Sequence, residues 1–158
     1  MTEAIRPPKT SHQLELLQKV LRGELPGSAI GALLGFAPTR FELGLSVMEM
    51  DTDGRHANPM GTLHGGVICD LSDAAMGTAM ATTLEADEAF TTLSLTANYF
   101  KPIWSAHLRA TARVTKRTRS LGLIECDVED DGGSLVAKVF STCMVLRGEA
   151  AKGRSVGA

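Results

Sequence analysis

The feature that most constrains this sequence is a stretch from His64 to about Leu84 that has no polar face. No proline interrupts it, and its only charged residues are Asp70 and Asp73. Wound as an α-helix of about four to five turns, it is apolar on every side, and such a helix is expected to be buried on every side. One face carries small and branched residues, which suit close packing on a β-sheet. These are Val67, Ile68, Leu71, Ala74, Ala75, Thr78, Ala79 and Thr82.

The second face of this helix is also mostly apolar, but it holds a carboxylate. Its residues are Cys69, Asp73, Met76, Gly77 and Met80. A sheet that covers the first face leaves the second one open, so we expect a second copy of the chain to cover it. Cys69 and the two methionines are predicted to line this contact or a substrate pocket rather than to react. Asp70 lies at the edge of this second helix face and is expected to pair with a surface group or with the helix dipole.

The start of the helix offers a second chemical feature. Gly65 and Gly66 place backbone N–H groups at the positive end of the helix, where developing negative charge is stabilised. Asp73, a candidate base or nucleophile, follows Gly65 by eight residues, which is about 12 Å along a helix. A base and an oxyanion donor must both come within about 3 Å of one carbonyl group. We therefore predict a composite site across a two-fold dimer, with Asp73 of one chain beside Gly65 of the other.

The rest of the chain predicts an α+β fold. Helices are expected from Ser11 to about Arg22 and over 28–34, and Phe36–Met50 is extended, either as a hairpin broken near Gly44 or as one bent strand. Four strands joined by short connections follow the long helix, at 89–100, 107–118, 123–129 and 135–146. Short connections favour antiparallel neighbours, and such a sheet must curl around the long helix to bury it. The predicted sheet has five to six strands.

Three segments follow from this order of elements. They are an N-terminal helical extension over 1–27, a core domain over 28–148 and a flexible tail over 149–158. The first helix is read either as a flap over a substrate tunnel or as a short helix packed on the rim. We expect Met1–Thr10 to be disordered and His56 to be exposed in a polar loop.

Composition excludes several classes of function. A chain of 158 residues fits one domain, and its net charge of −2 predicts no contact with nucleic acid or a membrane surface. The three cysteines have no metal-ligand spacing, which indicates a reducing cytoplasm, and Met1–Thr10 lacks the pattern of a signal peptide. No apolar run is long enough to span a bilayer. We predict a cytoplasmic protein with no metal and no cofactor.

One motif ties these features to a known family. The pattern Asn58-Pro-x-Gly-Thr-x-His64-Gly65-Gly66, followed by Leu71-x-Asp73-x-Ala75, resembles the signature of the hotdog-fold thioesterases of the PaaI-like (phenylacetate-pathway) branch. The resemblance runs from about Leu34 to Leu146. It implies a hotdog fold, an acyl-CoA substrate, and self-association as a dimer and as a dimer of dimers.

The resemblance also implies roles for individual residues. Asp73 is the catalytic acid, and the N–H of Gly65 polarises the thioester carbonyl with help from Gly66. Thr92 positions the attacking water, although a β-branched strand residue explains it equally well. Asn58 orients water or holds the thioester oxygen, whereas from its neighbours alone it is a turn residue. His64 is predicted to hydrogen-bond at the helix start, with a supporting role in catalysis.

Residues that contact CoA are expected in two segments that lie along CoA in relatives. One segment contains Tyr99, Lys101 and Pro102, and the other begins with Lys116, Arg117 and Arg119. Cationic side chains suit the phosphates of CoA. The alternative is a solvated basic edge that discourages pairing with other sheets.

The sequence thus predicts a thioesterase that hydrolyses an aromatic or medium-chain acyl-CoA to the free acid and CoA. A non-hydrolytic acyl-CoA binding module on the same fold is the alternative, and Asp73 argues against it. Hydration or dehydration of an acyl thioester is a third reading. It needs a differently arranged histidine and acid, and this pattern is not found in the sequence.

Overall fold

A computed structural model of the chain describes residues 12–154. Its helices are α1 His12–Leu21, α2 Ala29–Leu34 and α3 Gly65–Ala81. Its strands are β1 Phe36–Glu42, β2 Leu45–Asp51, β3 Glu88–Tyr99, β4 His107–Arg117, β5 Leu121–Asp130 and β6 Leu135–Arg147. The expectations for Met1–Thr10, for Ser11 as the start of a helix and for the end of the tail, 155–158, lie outside the described residues. Over residues 12–154, no helix has the length and apolar character needed to cross a bilayer.

In the described part of the chain, six strands form one sheet in the order β1-β2-β4-β5-β6-β3. Every neighbouring pair is antiparallel. The short connections predict this for β4–β5 and β5–β6, but the expected pairing of β3 with β4 is wrong. The chain crosses over after β3, which pairs with β6 at the edge of the sheet. The segment Phe36–Met50 is a hairpin, because Gly44 turns the chain with a φ of 71° between β1 and β2. The predicted sheet of five to six strands is therefore confirmed with six.

Alternation along the strands determines which face of the sheet meets the helix. In β4 and β5 every second side chain is buried, with fully buried Leu108, Ala112, Cys126 and Val128. The side chains between them, including Arg109, point to the outer face. The buried set lies against α3, so the sheet curls around this helix as expected for the hotdog fold.

The structure corrects the predicted faces of α3, because the sheet curls around this helix. Met76 and Met80 were expected on the open face, but both side chains are fully buried within one chain. The physical reason is that α3 contacts all six strands, so the sheet covers more than half of the helix circumference. The partly exposed residues of α3 include a narrower stripe along the side away from the sheet, which we call the open stripe: Gly66, Cys69, Asp70, Asp73 and Gly77.

The N-terminal helices close the β1 side of the molecule. Leu17 on α1 is 3% exposed, and α1 packs on β1 and α3, which is the rim position rather than a flap. Ser28 caps α2 by accepting a hydrogen bond from the N–H of Gly31, and Gly35 ends it at a φ of 85°. At the other end of the chain, Gly148–Ala151 forms a 3₁₀ turn against β3 and β6, so this part of the predicted tail is ordered.

Candidate active site

The first backbone donor of α3, the N–H of Gly65, faces away from the helix and from the loop before it. His64 is the N-cap, and its Nδ1 accepts a hydrogen bond of 2.9 Å from the N–H of Gly66. The N–H of Val67 bonds to the carbonyl of His64. Over residues 12–154, the N–H of Gly65 has no protein acceptor. Gly65 thus offers its N–H at the positive end of the helix, whereas Gly66, predicted to assist, donates to the His64 cap.

The loop before α3 is held by two polar side chains. Asn58 makes a turn: its Oδ1 accepts from the N–H of Met60 at 2.8 Å, and its Nδ2 donates to Thr62 Oγ1 at 2.9 Å. Its second Nδ2 hydrogen remains able to donate. The amide therefore has the role of a turn residue, and Asn58 lies within the loop that leads to His64.

His56 corrects an expectation. It was predicted to be exposed, but it is 8% exposed. Its Nε2 lies 2.9 Å from the carbonyl oxygen of Leu34, and its Nδ1 accepts from the N–H of Asp53. Its own carbonyl accepts from the N–H of His64. His56 is buried because it satisfies the carbonyl at the end of α2 and links that end to the start of α3.

Asp73 lies on the open stripe of α3, beside the edge strand β3. Thr92 donates to Asp73 Oδ1 at 3.3 Å. A register shift between Thr92 and Ser94 inserts Leu93 into β3 at this point, and such bulges often re-aim side chains beside functional sites. Burial raises the pKa of Asp73, the charge of Asp70 raises it further, and the hydrogen bond from Thr92 opposes both effects. Asp73 is solvent-exposed on its open side in one chain.

The structure does not bring Gly65 and Asp73 together within one chain. Both lie on the single helix α3, eight residues apart, which corresponds to about 12 Å. Asp73 and Thr92 meet, and His64 meets Gly66, but these two pairs lie at different heights of the helix. Within one protomer, the Gly65 N–H and the Asp73–Thr92 pair are therefore separate features of the helix.

A cleft of about 380 Å³ opens beside Gly65. Its walls are mainly apolar, with Leu63, Ile68 and Ile103, and it includes Phe100, Lys101 and Pro102. Tyr99 also lines it, and its hydroxyl donates to the carbonyl oxygen of Gly65 at 3.0 Å. An apolar cleft with a few polar groups is typical of small-molecule sites.

The candidate CoA-binding cations lie in different surroundings. Lys101, at the cleft, pairs with Asp130, which also accepts from the N–H groups of Gly132 and Ser134 in the β5–β6 turn. Arg117 is only 10% exposed and donates to Glu88 at 2.7 Å, so its guanidinium stabilises the sheet instead of facing solvent.

Lys116 and Arg119 are exposed at the end of β4. The register of β4 and β5 places them near Gly122, and Gly122 lies against Met80 in the last turn of α3. The Lys101 region and the Lys116 region are therefore at opposite ends of α3.

One contact at this site was missed from the sequence. Cys69 Sγ lies 3.1 Å from the hydroxyl of Tyr99, and that hydroxyl in turn reaches Gly65. Tyr99 is the sole tyrosine of the chain and was expected only to contact CoA. The spacing of Gly65 and Cys69, four residues apart on a helix, is a signal that one side chain can touch both. Across residues 12–154, no group of three or more histidine, cysteine or carboxylate side chains is placed to hold a metal ion.

Comparison with known proteins identifies the family. A sequence model of the thioesterase superfamily matches residues 60–137, the range that contains His64, Gly65 and Asp73. The proofreading thioesterase EntH of Klebsiella pneumoniae is 31% identical over 102 residues, which cover 65% of this chain and 74% of EntH. The chain belongs to the thioesterase superfamily. It is a thioesterase, an enzyme that hydrolyses acyl thioesters.

Solved structures of thioesterase-superfamily folds resemble this one closely. A phenylacetic acid degradation-related protein from Ralstonia eutropha JMP134 has a TM-score of 0.74 at 27% identity, covering 82% of this chain and 98% of that chain. The E. coli PaaI protein from the phenylacetic acid degradation operon has a TM-score of 0.76 at 19% identity, covering 86% of this chain and 97% of that chain. The likeness to PaaI concerns the fold, and it confirms the predicted hotdog architecture.

Proposed function

We propose that this thioesterase hydrolyses acyl-CoA in a site that two subunits share. The N–H of Gly65 polarises the thioester carbonyl, and Asp73 of the partner subunit acts as base or nucleophile. Thr92 orients Asp73 or the attacking water, while Asn58 and His64 hold the loop and the first turn of α3. The observation that carries this proposal is the free N–H of Gly65 on the same helix as Asp73, too far away to serve the same bond.

The edges of the sheet support a second copy as the partner. The edge strand β1 contains Pro38 and is covered by α1 and α2. The edge strand β3 has twelve residues, and its exposed side chains include Leu93, at 54% exposure. A long, unpaired edge strand is a template for pairing with another chain. Because β3 borders the open stripe of α3, a copy that pairs there also covers Asp73.

Two antiparallel copies would also bring the basic regions together. Lys101 lies at the start of α3 and Lys116 and Arg119 at its end, so no single protomer can gather them around one CoA molecule. In an antiparallel dimer the start of one α3 approaches the end of the other. We therefore assign the phosphates of CoA to Lys101 together with Lys116 and Arg119 of the opposite subunit, and we assign Arg117 a structural role.

The acyl group is proposed to be aromatic or medium-chain. The apolar side chains of Leu63, Ile68 and Ile103 and the rings of Tyr99 and Phe100 favour such a group in the cleft. The phenylacetic acid degradation-related protein, similar in structure, points to an aryl-substituted acyl group. Thiol release from phenylacetyl-, hydroxybenzoyl- and medium-chain acyl-CoA compares these classes directly.

A subunit-mixing experiment tests the shared site. Asp73→Asn removes the carboxylate from every site. Gly65→Ala keeps the backbone N–H but displaces it, because the added Cβ would lie 3.1 Å from the Tyr99 ring. Each variant is expected to lower kcat by about 100-fold or more. A mixed dimer of the two variants keeps one intact site, formed by Gly65 of the first chain and Asp73 of the second. Random re-association of equal amounts should therefore restore about a quarter of the wild-type rate.

The controls of this experiment separate the claim that Asp73 is the base or nucleophile from the claim that two subunits share the site. Asp70→Asn, one helical turn from Asp73, should keep the wild-type kcat at neutral pH, and circular dichroism should show that each variant is folded. Full activity of Asp73→Asn would remove the proposed base. A dimeric mixture that stays inactive would instead place both groups in one chain's site and contradict the shared arrangement.

A further inference from the structure

We propose that Tyr99 is a positioning residue that holds the oxyanion donor of α3 in its active orientation. The inference rests on the proposed function of Gly65 and goes beyond the predicted contact of Tyr99 with CoA. It concerns one peptide unit, the one that joins Gly65 to Gly66. Both polar groups of this unit are held by side chains that belong to different elements.

The two contacts have defined directions. The hydroxyl of Tyr99 donates to the carbonyl oxygen of Gly65 at 3.0 Å, because a carbonyl can only accept. The N–H of Gly66, which belongs to the same peptide unit, donates to His64 Nδ1 at 2.9 Å. The peptide plane is thus clamped at both ends, by β3 on one side and by the N-cap on the other.

The clamp matters because the residues it holds are glycines. Glycine has the largest backbone freedom of all residues, and Gly65 and Gly66 stand side by side at the first turn. The N–H of Gly65 itself belongs to the preceding peptide unit, which is joined to the clamped unit by the φ and ψ bonds of Gly65. Loss of the clamp would free rotation about these bonds and let the Gly65 N–H turn away from the carbonyl of the substrate. An oxyanion donor is effective only when it is oriented before the reaction.

Cys69 completes the arrangement. Tyr99 has one hydroxyl proton, and Gly65 receives it, so the contact of 3.1 Å between Cys69 Sγ and the Tyr99 hydroxyl has the thiol as donor. Burial is the main cause that raises the pKa of Tyr99 to about 12. The hydroxyl therefore stays protonated and remains a donor at neutral pH.

The close fit also explains why residue 65 is a glycine. A Cβ at this position would lie 3.1 Å from both Cζ and the hydroxyl oxygen of the Tyr99 ring. With any larger residue the ring would have to shift by a few tenths of an ångström, which disturbs its hydrogen bond to the carbonyl. Tyr99 and Gly65 therefore depend on each other, although 34 positions separate them in the sequence.

Tyr99→Phe tests this inference because it keeps the ring and removes the donor. We expect kcat to fall about 10-fold, the factor of one hydrogen bond, with KM within about two-fold because the ring remains. We also expect faster amide hydrogen exchange at Gly66, measured by NMR on ¹⁵N-labelled protein, since the first turn loses one of its two anchors. Cys69→Ala should show a smaller change of the same kind, and Cys69→Ser should restore wild-type values.

The exchange measurement does not depend on catalysis, so it separates this inference from the proposed function. If the wild type releases no thiol from any acyl-CoA, the proposed function fails and the exchange data still test the clamp. Unchanged exchange at Gly66 in Tyr99→Phe overturns the inference, whatever happens to kcat. Faster exchange with an unchanged kcat in an active enzyme overturns it as well, because the orientation would then have no catalytic effect.

Discussion

At the scale of single residues, Asp73 is a carboxylate whose surroundings oppose its charge. Desolvation raises its pKa and the negative charge of Asp70 adds to this, whereas the hydrogen bond from Thr92 stabilises the charged form. A base or nucleophile acts only when it is deprotonated. Activity should therefore be lost as the pH falls through a pKa that lies above 3.8, the ordinary value for aspartate.

Two substitutions should shift the acidic limb of the pH–activity profile, where activity is lost as the pH falls, in opposite directions. Asp70→Asn removes a like charge and should shift the limb of kcat/KM to lower pH, while Thr92→Val removes the stabilising hydrogen bond and should shift it to higher pH. The shifts are expected to be a few tenths of a pH unit to about one unit. The measurement is kcat/KM from pH 4 to 8. A shift of both variants in the same direction would contradict the assignment of the limb to Asp73.

At the scale of elements, a largely buried ion cluster joins one end of each of three strands. Glu88 at the start of β3 accepts from Arg117 at the end of β4 and from Arg147 at the end of β6. It also accepts from the N–H of Glu85 at 3.1 Å. Burial raises the pKa of Glu88, but the Glu85 N–H and the two guanidinium groups outweigh this effect, so the pKa lies below its usual value. The charged form is thus the one that stabilises the fold.

Glu88→Gln should destabilise the protein strongly. It leaves the guanidinium of Arg117, which is only 10% exposed, without a carboxylate, and breaking such a buried pair costs about 3–5 kcal/mol. The measurement is the free energy of unfolding in urea at neutral pH. Glu49→Gln, which breaks the solvent-exposed pair with Arg109, is the matched control and should cost about 1 kcal/mol or less.

The Glu88 cluster should stabilise the folded state at neutral pH and lose this effect at low pH. Because the pKa of Glu88 is lower in the folded state than the ordinary 4.5, its contribution is present above 4.5 and is lost as the pH falls through the lowered value. The stability difference between the wild type and Glu88→Gln should therefore shrink only below about pH 4.5. A difference that already disappears near neutral pH would contradict the ionised pair.

At the scale of the whole molecule, the two edges of the sheet are built differently. The β1 edge has a proline and two helices packed beside it, whereas the β3 edge is long and leaves Leu93 exposed beside the open stripe of α3. An exposed edge of this kind is a liability unless another chain pairs with it. In the proposed dimer, the site and the subunit contact would therefore lie on the same side of the molecule.

Leu93→Lys should uncouple the two subunits. A lysine on the β3 edge is a common device against strand pairing, and burying its charge in a subunit contact is costly. We expect the variant to elute as a monomer in size-exclusion chromatography with light scattering and to lose thioesterase activity, because neither half site is complete alone. Leu135→Lys, opposite Glu129 on β5, is the control and should stay oligomeric and active. A fully active Leu93→Lys monomer would contradict the shared site.

Local sequence signals were sufficient for the elements and for the family. Ser28 and Gly35 bracket α2, the Asp130–Gly133 turn joins β5 to β6, and the stretch after His64 is a helix close to the predicted length. These features depend on neighbours a few residues apart, through caps, turns and periodicity. The motif around Gly65 and Asp73 likewise pointed to thioester hydrolysis, because a family signature is itself a local pattern.

The sequence by itself therefore determined which elements form, their order and the reaction class of the enzyme. Only the tertiary structure decided that Met76, Met80 and His56 are buried and that Arg117 is only 10% exposed. It also decided that the N–H of Gly65 has no acceptor among the described residues and that Tyr99 reaches Gly65. These outcomes depend on how far the sheet curls around α3 and on the register of strands distant in sequence. Such contacts join residues tens of positions apart, and no local periodicity carries information about them.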